Sequence, residues 1–166
     1  MIGSLPNGTG VEIRGLGADD GGALLEFHAR LSPATLYYRY LFQHGPLTEQ
    51  EVDWFTHVDQ HDRVALAAVI DGDLVGVARF DREPGTASAE LACVVEDRWQ
   101  GEGIGSLLLD QLVARANDEG ITHLTGEISV TNPRMLGLMR RLGHGYQQDC
   151  DSGVVSARVA LDAVPA

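Results

Sequence analysis

Residues 89–109 have the sequence AELACVVEDRWQGEGIGSLLL, and this stretch decides the fold. A strand-like apolar segment precedes three glycines in five positions, Gly101, Gly103 and Gly105, and an apolar run with helical spacing follows. Glycine loses more backbone entropy on folding than other residues, so such a cluster needs a reason. Free N–H groups at a helix N-terminus bind anions, and the stretch therefore predicts a phosphate-binding loop between a strand and a helix.

Two common phosphate-binding motifs fit this loop poorly. The P-loop motif GxxxxGK[ST] requires a lysine, and all 12 basic residues of the chain are arginine. The dinucleotide motif G-x-G-x-x-G requires a glycine where Ser106 stands, and it belongs to repeated βαβ units. A plain tight turn is the remaining alternative, for which three glycines are excessive.

The segments upstream of the loop alternate between strand and helix patterns. Apolar alternation predicts strands over 11–16, 64–70 and 74–80, the last two joined by the turn Asp71-Gly72-Asp73. Helix starts are predicted at Asp19 or Asp20, at Ser32-Pro33, and at Thr48 with Glu51 as a capping box. The first predicted helix presents Leu24, Phe27 and Leu31 on one face.

Downstream, the patterns predict a helix from Ile104 to Gly120, a strand over 123–130, a helix from Asn132-Pro133 to Gly143, and a last strand near 155–161. Residues 1–10 lack the features of a signal peptide and are predicted to be a flexible tail, with a single domain over 11–166. The expected fold class is α+β, a mixed and mostly antiparallel central sheet flanked by helices.

The composition excludes several classes of protein. With 166 residues, 44% hydrophobic and 22% charged, the chain is expected to be a soluble globular protein without a membrane span. Its net charge of −12 argues against nucleic acid and suits either a cationic partner or simple solubility. Only two cysteines occur, so a disulfide framework is not expected and a cytoplasmic location is. Cys93 lies in the apolar run LACVV and is expected to be a buried small hydrophobe.

The spacing Q-x-x-G-x-G at Gln100, Gly103 and Gly105 resembles the acyl-CoA pyrophosphate loop of the GNAT N-acetyltransferase superfamily. ITHLTGEISVTNPRMLGLMRRLG (121–143) is similar to that superfamily's next strand and its Asn-initiated helix. RLSPATLYYRYLF (30–42), LTEQEVDWFTHVDQHDRVALAAV (47–69) and DGDLVGVARFDR (71–82) resemble the acetyltransferase domain of bacterial Pat-type protein lysine acetyltransferases. The resemblance covers residues 11–162. It implies the GNAT fold and direct transfer of an acetyl group from acetyl-CoA to an amine, expected to be a lysine side chain of a protein.

The resemblance also implies a general base. The strand before the loop carries A-E-[apolar]-A in the superfamily, and Ala89-Glu90-Leu91-Ala92 matches it, which assigns Glu90. Burial on a largely apolar strand would increase the affinity of this carboxylate for a proton. An ordinary solvent-facing glutamate is the alternative.

The acetyl-CoA contacts are implied in the same way. Cys93, Val94 and Val95 would offer backbone hydrogen bonds to the pantetheine arm, and Asn132 would bind it from the later helix. The remaining candidate contacts are Gln100, Gly101, Glu102, Gly103, Ile104, Gly105, Ser106, Met135 and Arg140, with Arg98 and Arg141 as further candidate phosphate contacts.

Three features depart from the superfamily's pattern or compete with it. Met139 stands where many members carry a tyrosine general acid, and His144 follows Gly143 in place of phenylalanine, with Tyr146 nearby. His57 and His61 have the i, i+4 spacing of a zinc protease motif but lack its glutamate, so no metal is expected. Two other functions stay open: acetylation of a small-molecule amine, and a non-catalytic acyl-CoA sensor.

Overall fold

The computed structural model describes residues 1–162, which build one eight-stranded sheet. Its strands are Ile2–Ser4 (β1), Gly10–Gly15 (β2), Arg63–Ile70 (β3), Asp73–Arg82 (β4), Ser88–Val95 (β5), His123–Ser129 (β6), His144–Asp151 (β7) and Val154–Ala160 (β8). They are ordered β1-β2-β3-β4-β5-β6-β8-β7. Only β5 and β6 are parallel within this described sheet, and all other neighbours are antiparallel. The predicted α+β class is confirmed.

Five α-helices flank the sheet in the described part of the chain: Gly21–Ala29 (α1), Pro33–Tyr40 (α2), Glu49–Thr56 (α3), Ile104–Asp118 (α4) and Pro133–Arg141 (α5). Their predicted starts are confirmed for three of them. The Ser32 hydroxyl accepts from the Thr35 backbone N–H, and Thr48 forms the capping box with Glu51. The Asn132 side chain accepts from the N–H of Met135. Local capping chemistry therefore fixes where these helices begin.

Two hydrophobic cores lie on opposite faces of the sheet. On one face Leu24 and Phe27 of α1 are buried together with Leu31, which the sequence predicted on the same helix but which follows its end at Ala29. On the other face α4 packs Leu108, Leu109 and Leu112 against the apolar side chains of the strands. Burying such side chains on both faces is what stabilises the sheet between two helical layers. Among residues 1–162, no helix is both long and apolar enough to cross a membrane.

The sequence did not predict two strands, both at edges of the sheet. A flexible tail over residues 1–10 is wrong for Ile2–Ser4, which pairs with β2, and the Met1 amino group donates to the Ile13 carbonyl at 2.8 Å. Backbone hydrogen bonds hold this segment in the sheet, so its side chains do not show the apolar alternation that predicts a strand. The strand β7 is polar and largely exposed, and it lacks the apolar alternation that marks the inner strands. Residues 163–166, the end of the predicted domain, lie outside the described residues.

The parallel pair β5–β6 is short, and this positions the site. Its pairing runs only from Ser88↔His123 to Glu90↔Thr125, although β5 continues to Val95 and β6 to Ser129. Beyond Glu90 the two strands separate, while β5 stays paired with β4 along its full length to Val95. One backbone edge of β5 therefore faces a gap in the sheet.

Candidate active site

A groove of about 750 Å³ opens where β5 and β6 separate. It is lined by side chains and backbone from residues 92–95 of β5, from residues 100–106 and from residues 131–138 at the start of α5. We call residues 100–106 the glycine loop. Because the unpaired edge of β5 forms one wall, backbone donors and acceptors line the groove along part of its length.

The glycine loop has a backbone that other residues adopt only with strain. Gly101 and Gly103 have φ angles of +80° and +96°, in the region that favours glycine. Gly103 is also the N-cap of α4, and no side chain caps this helix. A Cβ on Gly105 would lie 3.4 Å from Leu138 Cδ1 of α5. The first N–H groups of α4 are thus left for an anionic ligand.

Two arginines from α5 flank the glycine loop. Arg134 donates to Gln100 Oε1 at 3.3 Å, and Arg141 donates to Ser106 Oγ at 2.9 Å. Both line the groove, and neither has an ion-pair partner among residues 1–162. Their positive charge stands out in a chain of net charge −12, and it complements a pyrophosphate. Arg134 is not among the contacts predicted from the sequence, although its place in the first turn after Asn132 was a usable signal.

The structure places Arg140 outside the groove, which corrects its assignment as a phosphate contact. Its guanidinium lies 5.3 Å from the centre of the Tyr146 ring and donates to Gln148 at 3.3 Å. One residue along a helix rotates the side chain by about 100°, so Arg141 faces the loop and Arg140 faces β7. Arg98 is likewise engaged elsewhere, 2.8 Å from Glu96.

The Gln100 side chain supports the glycine loop rather than extending freely into the groove. Its amide nitrogen donates to the Val95 carbonyl and to Thr35 Oγ1, each at 3.0 Å. Glu102 belongs to the loop by its backbone alone, since its carboxylate accepts from Asn7 at 3.4 Å and does not line the groove. The other predicted contacts line the groove: Cys93, Val94, Val95, Gly101, Gly103, Ile104, Gly105, Ser106, Asn132 and Met135.

Two further groups on the groove bear on its chemistry. Desolvation raises the pKa of the Cys93 thiol to about 12, so this cysteine is not a nucleophile near neutral pH. The indole N–H of Trp99 is buried and has no hydrogen-bond partner in the described structure. Trp99 lines the groove, so a ligand that offers an acceptor there would satisfy this donor.

A second cavity of about 650 Å³, which we call the acidic cleft, lies next to the groove on the face covered by α1–α3. Strands β4, β5, β6 and β8 form it, and it contains four carboxylates: Asp81, Glu83, Glu90 and Glu127. Burial opposes ionisation of Asp81, but hydrogen bonds from Arg79 and Arg63 outweigh it and lower its pKa. Glu90 is exposed to solvent in the cleft, so the expected burial of this carboxylate is wrong.

The groove and the acidic cleft meet at three residues. Arg39, Ala92 and Glu127 line both cavities. Glu90 lies two residues before Ala92 on β5, on the same face of the sheet, and lines the cleft only. The two cavities therefore open into each other beside Ala92, at a place that we call the junction. A molecule in the groove can reach a molecule in the cleft there.

The residues that depart from the superfamily's pattern lie away from this junction. Met139 is fully buried in the core. The Tyr146 hydroxyl donates to Gln148, and Tyr146 lines neither cavity. Among the described tyrosines only Tyr38 lines either cavity, and its hydroxyl donates to the Thr131 carbonyl at 2.8 Å. The structure therefore offers no free tyrosine hydroxyl at the junction.

The two histidines considered for a metal site make separate contacts. His57 is exposed and lies 4.0 Å from Asp53, whereas His61 lies 3.2 Å from Glu119. No group of three or more potential ligands of the kinds His, Cys, Asp and Glu comes together in residues 1–162.

Three features together are typical of one class of protein, the acetyltransferases. They are a groove where the sheet opens, a glycine loop at a helix N-terminus, and an adjoining polar cleft. The family model described as "Acetyltransferase (GNAT) family" matches residues 29–144. The chain belongs to this family of acetyl-CoA-dependent N-acetyltransferases.

Individual proteins are similar over most of the chain. The crystal structure of the GNAT domain of S. lividans PAT superposes with a TM-score of 0.89 and 31% identity, covering 97% of this chain and 96% of that one. An acetyltransferase of Pseudomonas aeruginosa is 31% identical over 95% of this chain and 88% of its own. Acetyltransferase Pat of Mycolicibacterium smegmatis is 34% identical over 81% of this chain, which spans 41% of that protein.

The fold also matches a structure that contains the acetyl donor. YncA from Salmonella typhimurium, described with its cofactor acetyl-CoA, has a TM-score of 0.73 and 20% identity over 94% of this chain and 96% of its own. At this identity the match shows the fold alone.

Proposed function

We propose that this chain transfers an acetyl group from acetyl-CoA to a lysine side chain of a protein, with Glu90 as the general base. The observation that carries the proposal is the junction, where a groove with the glycine loop at its other end opens into an acidic cleft. The donor and the amine would approach through different cavities and meet there.

The donor fits the groove by its chemistry. The pyrophosphate would bind the glycine loop and the N-terminus of α4, with Arg134 and Arg141 beside it. The pantetheine arm would run along the unpaired edge of β5 at residues 92–95, opposite Asn132. The thioester would then lie near Ala92, at the junction.

The cleft suits an amine acceptor. A lysine ammonium has an ordinary pKa of about 10.4, so it must lose a proton before its nitrogen can attack. The cleft's carboxylates would attract the ammonium, and Glu90 would accept its proton directly or through water. The nitrogen would then attack the thioester carbon, and the carbon–sulfur bond would break to release the CoA thiolate.

A protein acceptor is supported by similarity and by charge. The chain resembles both the GNAT domain of S. lividans PAT and part of the M. smegmatis Pat acetyltransferase. Its net charge of −12 would steer cationic, lysine-bearing surfaces toward the cleft. This attraction weakens with ionic strength, so KM for a lysine-rich acceptor should rise with added salt.

The decisive experiment compares Glu90→Gln with wild type and with Glu12→Gln. Glu12 is an exposed strand carboxylate on β2 outside both cavities, so it controls for loss of one negative charge. Acetyl transfer is measured to cell-extract proteins, to a lysine peptide and to free polyamines. Loss of a general base should lower kcat by about 10²–10⁴-fold.

Each outcome has a defined meaning. Full activity of Glu90→Gln overturns the base assignment. Activity on free amines with none on any protein or peptide favours a small-molecule acetyltransferase. Tight acetyl-CoA binding without turnover on any amine favours a sensor.

A further inference from the structure

The junction holds a guanidinium that the proposed function has not used. Arg39, on α2, lines the groove, the acidic cleft and a small adjacent cavity. Within residues 1–162 it makes no side-chain hydrogen bond and no ion pair. Of the 12 basic residues it is the only one that lines both the groove and the cleft. A half-buried, unpaired cation is costly unless something anionic faces it.

Aromatic rings hold this side chain in place. The Arg39 guanidinium carbon lies 4.9 Å from the centre of the Tyr40 ring and 5.8 Å from that of Phe55. The Arg79 guanidinium lies 4.9 Å from the same Phe55 ring, but Arg79 is paired with Asp81. Cation–π contacts orient Arg39 without neutralising its charge. Desolvation is the largest influence on Arg39 and lowers its pKa, which is consistent with a charge directed into a cavity and not into bulk water.

We propose that Arg39 is the group that stabilises the negative charge developing on the thioester oxygen and then on the CoA sulfur. The inference rests on the proposed function, which orients acetyl-CoA in the groove. Its pyrophosphate would lie at the glycine loop and its thioester at the junction. Many members of the superfamily carry a tyrosine that serves the leaving thiolate. Here Met139 and Tyr146 lie away from the junction, so Arg39 would stabilise the thiolate instead.

The step balances without a proton from Arg39. The amine nitrogen's lone pair forms the carbon–nitrogen bond, and the carbonyl's π electrons move to oxygen. Collapse of that intermediate restores the carbonyl and breaks the carbon–sulfur bond, so the sulfur leaves with the electron pair. Glu90 takes one proton from the ammonium before attack. The second nitrogen proton is lost as the intermediate collapses and passes through water to the departing CoA sulfur, while Arg39 keeps its own protons and donates hydrogen bonds.

The position also argues against two other ligands for Arg39. A pyrophosphate would be held by Arg134 and Arg141 beside the glycine loop, at the other end of the groove from Arg39. An acceptor's carboxylate would have to pass the carboxylates of the cleft, where Arg158 lies exposed and is the more accessible cation. On the groove side, acetyl-CoA bound as proposed would bring its thioester to Arg39.

The test uses CoA alone and needs no acceptor. The thiol of wild-type-bound CoA is titrated by the ultraviolet absorbance of its thiolate, and desulfo-CoA, which lacks the sulfur, serves as the blank. A cation within about 4–6 Å lowers the pKa of a thiol by one unit or more. The bound thiol should therefore ionise at least tenfold more readily than the thiol of free CoA.

Other charged and titratable groups near the junction must be included in interpreting this titration. They are Tyr38 and Tyr40 on α2, Arg79, Asp81 and Arg82 on β4, Glu83 directly after β4, Glu90 and Cys93 on β5, Glu127 on β6, Arg158 on β8, and His28 on α1, which lines the small adjacent cavity. Arg79 and Asp81 compensate each other. Glu90 and Glu127 act in the opposite direction from Arg39, since a nearby negative charge favours the neutral thiol. Desolvation in the groove also favours the neutral thiol, as it does for Cys93. A raised value in wild type would thus mean that desolvation and the carboxylates outweigh Arg39, and it would overturn the proposal.

Three variants complete the experiment. Arg39→Gln should raise the pKa of the bound thiol above its wild-type value, and Arg39→Lys should keep part of the lowering. Arg140→Gln, which removes an arginine outside both cavities, should leave it unchanged. Desulfo-CoA affinity should be equal in wild type and Arg39→Gln, which also shows that the variant is folded. An unshifted thiol in wild type, or a shift that survives in Arg39→Gln, refutes the role of Arg39. Failure of CoA to bind wild type at all would instead refute the proposed function.

Discussion

Gly103 combines two requirements at one residue. Its positive φ of +96° turns the chain from the loop into α4, and as the N-cap it leaves the first N–H groups of the helix without a side-chain partner. The sequence predicted this role because three glycines between a strand and a helix are hard to explain otherwise. At Glu90 the sequence predicted a buried carboxylate, with a solvent-facing one as the alternative, and the structure shows an exposed residue. Its neighbours on the adjacent strands, Asp81 and Thr125, are polar, so that part of the sheet face stays accessible to water.

We predict that Gly103→Ala weakens CoA binding by tenfold or more. An alanine at this φ costs about 1–2 kcal/mol in the left-handed region, and relief of that strain would turn the N–H groups away from the pyrophosphate. Isothermal titration with CoA measures the effect.

Gly72→Ala is the matched control for this prediction. Gly72 has a similar φ of +88° in the β3–β4 hairpin, and a Cβ there meets no atom within 4 Å. Both variants should lose similar amounts of stability, but only Gly103→Ala should lose affinity for CoA. Equal affinity in the two variants would contradict the role of the glycine loop.

Helix α2 connects the two cavities, because its residues reach both the glycine loop and the junction. The Asp97 carboxylate accepts from the Ser32 N–H at 2.9 Å, from Ser32 Oγ at 2.6 Å and from Thr35 Oγ1 at 3.0 Å. Thr35 Oγ1 also accepts from Gln100 at 3.0 Å. The sequence predicted the Ser32 cap, but Asp97 is distant along the chain, and only the fold brings it to the start of α2.

We predict that Asp97→Ala lowers the free energy of unfolding by about 1 kcal/mol at neutral pH, the scale of a partly exposed hydrogen-bonded group. Burial opposes ionisation of Asp97, but hydrogen bonds from Ser32 and Thr35 outweigh it and lower its pKa. A lowered folded-state pKa means that this contribution is full above the unfolded value of about 3.9 and is lost as the pH falls through the folded value.

Urea unfolding at neutral and at strongly acidic pH measures this difference. The gap between wild type and Asp97→Ala should narrow at acidic pH, where the carboxylate is protonated. A gap of the same size at both pH values would show that the carboxylate's charge contributes nothing.

At the scale of the whole molecule, the absence of lysine means that no side chain of the protein itself offers an amine for acetylation. Acetyl groups found on other residues would therefore reveal a covalent intermediate. Its 12 basic residues are all arginine, and the remaining amine is the Met1 amino group, which donates to Ile13. Incubation of the untagged chain with acetyl-CoA should therefore label the N-terminus at most, as measured by peptide mass spectrometry. A stable S-acetyl group on Cys93 or Cys150 would contradict direct attack by the acceptor amine.

The sequence by itself determined the features that depend on near neighbours. Apolar periodicity and capping residues predicted the inner strands and the helix starts, and glycines predicted the β3–β4 turn and the phosphate-binding loop. These signals are readable because backbone angles and local hydrogen bonds act over a few residues. The edge strands β1 and β7 gave no such signal, since pairing with another strand holds them and their side chains are largely exposed.

Only the tertiary structure decided how the site is assembled. The separation of β5 from β6 opens the groove, and α2 brings Arg39 to the point where Ala92 and Glu127 line both cavities. Arg134 and Arg141 line the groove and Arg140 does not, because of the rotation of α5 against the glycine loop. These residues are far apart in the chain, and their side chains share a site because the packing of helices on the two faces of one sheet fixes their directions.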